Sequence, residues 1–444
     1  MDAREVALLT LNACERQGGW SDGVLKKQIA AAGLDSRDAG LATQLCFGVI
    51  QNRILLDFYL SKFSNIPLRR LEGKVLQALR LGLYQMLFLT RIPHSAAVDQ
   101  SVALTRAHCK NPRAPGMVSA ILRNLERSLD RLPTIPEDDP AEYYATLYSH
   151  PVWLVRELLE TLGSEGTAAF LQADNSQPPI TAMVNTVKTD LEGALEALQA
   201  EGVHGEPHPW LKNCLVLSRS GSLEELDAFQ NGLFYVQDPA SRLAVLALDP
   251  EPGSRVLDMC AAPGGKSFAA AIQMRDQGEI WSCDLHPHKK TLIQKGAQRL
   301  GLTCIRPQTA DGKVRRPEWE GAFDRVLVDA PCSGLGVIRK KPDIRFKDPE
   351  PLAGLPQVQS AILDNAAGYV KPGGVLVYST CTILERENRA VTDAFLAAHP
   401  EFSRERFLLP GPAGEVSEGQ ITLWPQVHGT DGFYICKLRK DGEA

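Results

Sequence analysis

Arg255-Val-Leu-Asp-Met-Cys-Ala-Ala-Pro-Gly-Gly-Lys266 decides the fold. The run from Arg255 to Cys260 is short and apolar and reads as a buried strand, and the residues from Lys266 onward read as a helix over 266–275. Strand, glycine turn and helix in that order open an α/β unit. Gly264 and Gly265 let the backbone turn sharply and approach a ligand closely. The helix start behind them offers free N–H groups to a carboxylate or phosphate. The turn is neither Gly-x-Gly-x-x-Gly nor a Gly-Lys-Ser phosphate loop, which disfavours a dinucleotide or a nucleoside triphosphate.

Working downstream, strands and helices alternate: strands at 279–284, 304–309, 323–329 and 374–380, helices at 286–300, 356–371 and 385–398. This pattern predicts a mostly parallel sheet with helices on both faces, an α/β Rossmann-like domain over 238–444. Two last strands, near 421–424 and 432–438, have no helix between them and read as an antiparallel hairpin at one edge.

In such sheets ligands bind beyond the carboxyl ends of the strands. Asp284 and Asp311 stand at the next two strand ends, suited to the ribose hydroxyls and the adenine amino group of a nucleoside. An aspartate at such a place is equally a helix cap or turn former. With the turn Cys260, Ala261, Ala262, Pro263, Gly264, Gly265 and Lys266, they make S-adenosyl-L-methionine the leading cofactor expectation.

Two further strands end in cysteines: Asp329-Ala-Pro-Cys332-Ser-Gly and Ser379-Thr-Cys381-Thr. Neighbouring strands would aim both thiols at one crevice. A thiolate is an effective nucleophile when its pKa is lowered. Beside a methyl donor it has a clear use: addition to C6 of cytosine makes C5 enamine-like, able to take the methyl, and loss of the C5 proton and the thiol restores the ring. Amino-group methylation would call instead for an Asp/Asn-Pro-Pro-aromatic turn. Which cysteine attacks stays open from these residues. Cys14, Cys46, Cys109, Cys214, Cys304 and Cys436 read as small apolar residues with no assigned chemistry, and Cys260 and Cys283 as structural, although Cys260 abuts the cofactor turn.

Working upstream, apolar residues recur at helical spacing through residues 1–130, giving a helical bundle. Residues 131–150, with Leu132-Pro-Thr-Ile-Pro-Glu-Asp-Asp-Pro140, read as a linker. Residues 151–237 read as a small α+β subdomain, ferredoxin-like or RNA-recognition-like, with Asp190 capping its helix. The apolar stretch 75–90 is interrupted by Arg80 and Gln85 and is short for a membrane span, so it reads as a buried helix. The N-terminus lacks a signal-peptide pattern, and a cytoplasmic protein is expected. Ten scattered cysteines give no disulfide framework and no zinc spacing, so no metal is expected. Net charge −5 leaves a nucleic-acid partner open. One basic run, Arg339 to Lys347, has five cations against one acid. It reads either as a solvated loop or as a phosphate-contacting segment, with Arg339, Lys340, Lys341 and Arg345 as RNA-binding candidates.

At the glycine turn and the two strand-end cysteines the chain resembles the RNA cytosine-C5 methyltransferase family, whose motifs match Asp258 to Lys266, Asp329 to Gly334 and Ser379 to Thr382. The resemblance implies a class I methyltransferase domain. It implies Cys381 as nucleophile and Cys332 as the thiol assisting product release, with Asp284, Asp311 and Asp329 contacting S-adenosylmethionine and Asp329 closest to the methyl-transfer centre. Leu335 departs from the small polar residue that resemblance leads one to expect. Arg37 to Ile50, Pro93 to Val102 and Gly116 to Asn124 resemble the NusB-like RNA-binding fold. The combination implies a monomeric enzyme acting on 16S rRNA, free or in an assembly intermediate, with no DNA or membrane partner. The same chemistry on tRNA, or a non-catalytic RNA-binding assembly factor, are the alternatives.

Overall fold

A computed structural model of the protein describes residues 1–17, 20–218 and 221–442. The chain forms two compact units. The first holds residues 1–176 together with 340–347; the second holds 177–339 and 348–444.

The first unit is all-helical: α1 (Ala3–Gln17), α2 (Ser21–Ala32), α3 (Ser36–Gln51), α4 (Arg53–Phe63), α5 (Gly73–Phe88), α6 (His94–His108), α7 (Ala114–Arg127), α8 (Pro140–Leu147) and α9 (Val152–Asp174). Helix α5 is its axis. Every residue from Val75 to Met86 is buried, which explains the long apolar stretch. No helix among the described residues is long and apolar enough to cross a membrane. Arg80 is tolerated inside because Asp57 takes it in two bonds, 2.8 and 2.7 Å, and Glu15 adds a third contact. The expected linker contains a helix: Asp139 caps α8 by accepting from Ala141 N–H, and Pro140 fills the first turn, where no N–H is needed.

Residues 340–347 complete this unit, and this corrects the reading of Arg345. Its side chain is fully buried. The guanidinium donates to the carbonyls of Gln51 (2.8 Å) and Ser149 (3.0 Å) and to Asn175 Oδ1 (2.7 Å). Asp174 lies 3.9 Å away and is also held by His150 (2.9 Å). Burial lowers the Arg345 pKa to about 10. Arg345 is thus a structural pin and not a phosphate contact. Arg345→Ala removes the cation these groups share and is expected to lower stability by about 3–5 kcal/mol. The check is a leftward shift of the urea midpoint relative to Lys341→Ala, an exposed neighbour that should leave it unchanged.

The second unit starts with a four-stranded antiparallel sheet, order β2-β3-β1-β4, from β1 (Ile180–Val184), β2 (His204–Pro207), β3 (Cys214–Ser218) and β4 (Phe234–Val236). With α10 (Leu191–Ala200) and the short α11 (Asp227–Gln230) it makes an α+β layer. Asp190 caps α10, as expected, by accepting from Gly193 N–H at 2.9 Å.

The larger sheet follows α12 (Pro239–Leu248). Its parallel part comprises β5 (Arg255–Asp258), β6 (Glu279–Asp284), β7 (Ile305–Thr309), β8 (Phe323–Asp329) and β9 (Val370–Thr380), linked through α13 (Gly265–Gln273), α14 (Pro287–Leu300) and α15 (Leu355–Tyr369). After α16 (Arg389–Ala398) come β10 (Phe402–Arg404), the small pair β11 (Phe407–Leu408) and β12 (Glu415–Val416), then β13 (Gln420–Leu423), α17 (Pro425–His428) and β14 (Phe433–Lys440). The order is β10-β14-β9-β8-β5-β6-β7, with β13 also paired to β14. The last strands do form an antiparallel hairpin, but β14 sits between β9 and β10 and is not an edge. The chain order reverses between β5 and β8, so a crevice opens at the carboxyl ends of β5, β6, β8 and β9.

Candidate active site

The crevice collects the residues that end these strands. β8 delivers Asp329 and β9 delivers Ser379, which are register partners. Ser379 Oγ donates to Asp329 Oδ1 at 2.9 Å. Lys266, in the first turn of α13, donates to the other oxygen, Oδ2, at 2.7 Å. Burial opposes the lysine's charge, yet Asp329 and then Cys381 together raise its pKa above the ordinary value. Lys266 therefore stays an ammonium in the catalytic crevice. The sequence reading placed it only in the cofactor turn.

Just past these strand ends stand the two thiols. Cys332 Sγ and Cys381 Sγ are 3.3 Å apart and both are half-buried. The hydrogen bond to Cys381 and burial push the Cys332 thiol well above its usual pKa, and the Glu387 and Asp329 carboxylates add to this.

A buried polar scaffold, invisible in the sequence, fixes both loops. Glu387 is fully buried, and its Oε2 accepts from Ser333 N–H and from Gln359 Nε2, both at 2.9 Å. Gln359 also donates to the Pro331 carbonyl at 3.0 Å. Ser333 Oγ meets Thr382 Oγ1 at 2.7 Å, tying the Cys332 loop to the Cys381 loop. Gly336 N–H donates to the Cys381 carbonyl at 2.9 Å, and its own carbonyl accepts from Gly432 N–H at 2.8 Å. A side chain on Gly336 would meet the Gly432 backbone at 1.8 Å, so glycine is required there. Leu335 is fully buried, which accounts for an apolar residue at that position.

On the cofactor side, the turn closes with Gly264 N–H donating to the Ala261 carbonyl at 2.7 Å. Gly264 has φ +114°, and a Cβ there would strike the Phe268 ring. Beneath the turn lies Asp258, whose Oδ2 accepts from Ser267 Oγ at 2.7 Å while its Oδ1 has no partner. Burial raises its pKa to about 7. Cys260 is pushed well above the usual thiol range by burial and the surrounding carboxylates, so it is no competing nucleophile. Asp284 ends β6, nearly buried, accepting from His286 N–H (3.1 Å) with Lys289 3.6 Å away. Asp311 follows β7 and caps its own turn through Lys313 N–H at 2.9 Å. The orphaned Asp258 oxygen and the acids at successive strand ends fit a ligand carrying amine and hydroxyl donors, and the N–H groups at the start of α13 fit a carboxylate on the same ligand.

Arg339 is also corrected. Its guanidinium is almost wholly buried, 2.8 Å from Asp431 and 3.6 Å from Asp238. With Arg345 also inside, Lys340 and Lys341 are what remain of the four RNA-binding candidates in the basic run.

Comparison with known proteins matches each part of the chain to a family. Residues 245–439 match the model of the 16S rRNA methyltransferase RsmB/F family. Residues 1–127 match the NusB family and residues 150–224 the ferredoxin-like domain of RsmF/B-like methyltransferases. A Bacillus subtilis protein, probable ribosomal RNA small subunit methyltransferase B, is 40% identical over 99% of both chains. The chain belongs to the RsmB family. A Klebsiella pneumoniae ribosomal RNA small subunit methyltransferase B is 34% identical over 92% of this chain and 91% of its own. The crystal structure of PH0851 superposes with a TM-score of 0.81, covering 99% of both chains at 26% identity. The RsmB architecture accounts for the order of parts seen here: an all-α NusB domain, a ferredoxin-like α+β layer, and an α/β methyltransferase domain.

Proposed function

We propose that this protein methylates carbon 5 of a cytosine in 16S rRNA, using S-adenosyl-L-methionine and a covalent adduct through Cys381. The observation that carries this reading is the pair of thiols 3.3 Å apart beside the Lys266–Asp329 ion pair. Neither an amine-methylating site nor a hydrolase needs two cysteines at one strand-end crevice. When bound, S-adenosylmethionine supplies an electrophilic methyl group. The turn from Cys260 to Lys266 would hold its amino-acid portion, Asp284 its ribose and Asp311 its adenine.

The protein's own groups divide the remaining work. Lys266 lies close enough to Cys381 to favour its thiolate. That thiolate adds to C6 of the base, with the Cys332 sulfur 3.3 Å from it. Asp329, held by Lys266 and Ser379, would lie closest to the methyl-transfer centre and face the base. After methyl transfer the C5 proton passes to solvent water, the C–H electron pair re-forms the C5–C6 double bond, the Cys381–C6 bond breaks with its electron pair returning to sulfur, and Cys332 assists release. The target cytosine must be unpaired or flipped out to reach the thiol.

The test is methyl transfer from labelled S-adenosylmethionine to unmodified 16S rRNA and to bulk tRNA, followed by bisulfite mapping. One protected cytosine in 16S rRNA is the expected result. Label confined to tRNA keeps the chemistry and overturns the substrate. Label in neither RNA, nor in a small-subunit assembly intermediate, overturns the reading.

A further inference from the structure

The first unit contains a cavity of about 370 Å³ between α1, α3, the start of α4, α5 and the returning segment 340–347. Ligand pockets begin at about this size, and a purine fits within it. Its charges are unequally satisfied. Arg80 is taken up by Asp57 and Glu15. Arg53 is not. Its guanidinium lies over the Phe346 ring, 3.3 Å from the centroid, and makes no hydrogen bond or ion pair with any described residue. Burial and then the neighbouring Arg80 lower its pKa to about 10, against the pull of Glu15, Asp57 and Asp343, none of which it contacts. Asp343 faces the same cavity. It accepts from Ser21 through Oδ2 only, with the hydroxyl at 2.5 Å, which leaves Oδ1 without a hydrogen bond among the described residues. Arg53 and Asp343 do not pair with each other. At the rim stands Trp20, 51% exposed, with the Lys347 ammonium 5.1 Å from its ring centre.

An idle arginine edge, an idle carboxylate oxygen and an exposed indole around one cavity call for a flat ligand with acceptors on one side and donors on the other. We propose that this cavity takes one unpaired guanine base of the RNA, O6 and N7 accepting from Arg53 and N1–H and the 2-amino group donating to Asp343, with Trp20 stacking on the base or its neighbour. Guanine is the base whose two edges satisfy both groups in pairs. Adenine lacks the second acceptor for arginine, and cytosine and uracil each leave one group half-satisfied. The inference rests on the protein being an RNA-binding enzyme and adds a specificity site in the first unit.

The test is fluorescence anisotropy of the full chain with labelled five-nucleotide RNAs, uridine throughout except a central guanine, adenine, cytosine, uracil or inosine. The guanine oligomer is expected to bind about tenfold or more tighter than the adenine, cytosine and uracil ones. Inosine, which lacks the 2-amino group, should fall between. Arg53→Ala should remove the guanine preference, Asp343→Asn should remove the difference between guanine and inosine, and Trp20→Ala should weaken all five. Equal binding of all five RNAs to the unaltered protein, or a preference that survives Arg53→Ala, would overturn the site. Methyl transfer is measured alongside. Transfer without guanine preference overturns this inference alone, whereas guanine preference without transfer overturns the proposed activity and leaves the site standing.

Discussion

Cys381→Ala should reduce methyl transfer to background, a loss of at least about 10⁴-fold, the scale seen when an enzyme loses its nucleophile. Cofactor binding should change little, because Cys381 lies at the end of β9 and the cofactor turn lies after β5. Calorimetric titration with S-adenosylmethionine, run on the same preparation used for kinetics, separates these two statements. The lysine gives a further sign. Cys381 contributes to raising the Lys266 pKa, so alanine should move Lys266 back toward its ordinary value. Residual transfer within a hundredfold of the unaltered enzyme would remove Cys381 from the nucleophile's role.

Cys332→Ala should behave differently. Addition to C6 and methyl transfer need only Cys381, but release is impaired, so a covalent RNA–protein complex should accumulate. It is read as a slow-migrating band on a denaturing gel, sensitive to ribonuclease and dependent on S-adenosylmethionine. The scaffold leads to the same expectation. Ser333 and Pro331, on either side of Cys332, are pinned through Glu387 and Gln359, so alanine leaves the loop in place and changes only the thiol. If the Cys381 variant traps the adduct and the Cys332 variant does not, the two roles are exchanged.

The chemistry was legible because it is written in short local strings. A glycine turn after a strand, and a cysteine after each of two others, need no tertiary information to be recognised. What stayed hidden depends on partners distant in the chain. Arg339 and Arg345 read as solvated or phosphate-contacting cations because their partners, Asp238, Asp431, Gln51 and Asn175, lie far away in sequence. Glu387 and Gln359 look like ordinary helix-surface residues until Ser333 is brought to them. Lys266 was assigned by its neighbours in the turn, whereas its partner Asp329 is 63 residues on. Helix α2 carries only two buried residues, Ser21 and Leu25, too few for a clear stripe. Strand β2 is largely exposed and contains glycine and proline, so it shows no alternation.

The return of residues 340–347 to the first unit sets a timetable for the protein's synthesis. An N-terminal domain ordinarily folds as soon as its last residue clears the ribosome, at about 5–20 residues per second. Here residues 1–176 emerge without the cation that joins Gln51, Ser149, Asn175 and Asp174. Arg345 is made only after the glycine turn and the first catalytic cysteine, roughly ten to thirty seconds later at that rate. Until then the nascent helical unit stands incomplete, and a ribosome that stops before residue 345 leaves a chain whose N-terminal part lacks its own keystone.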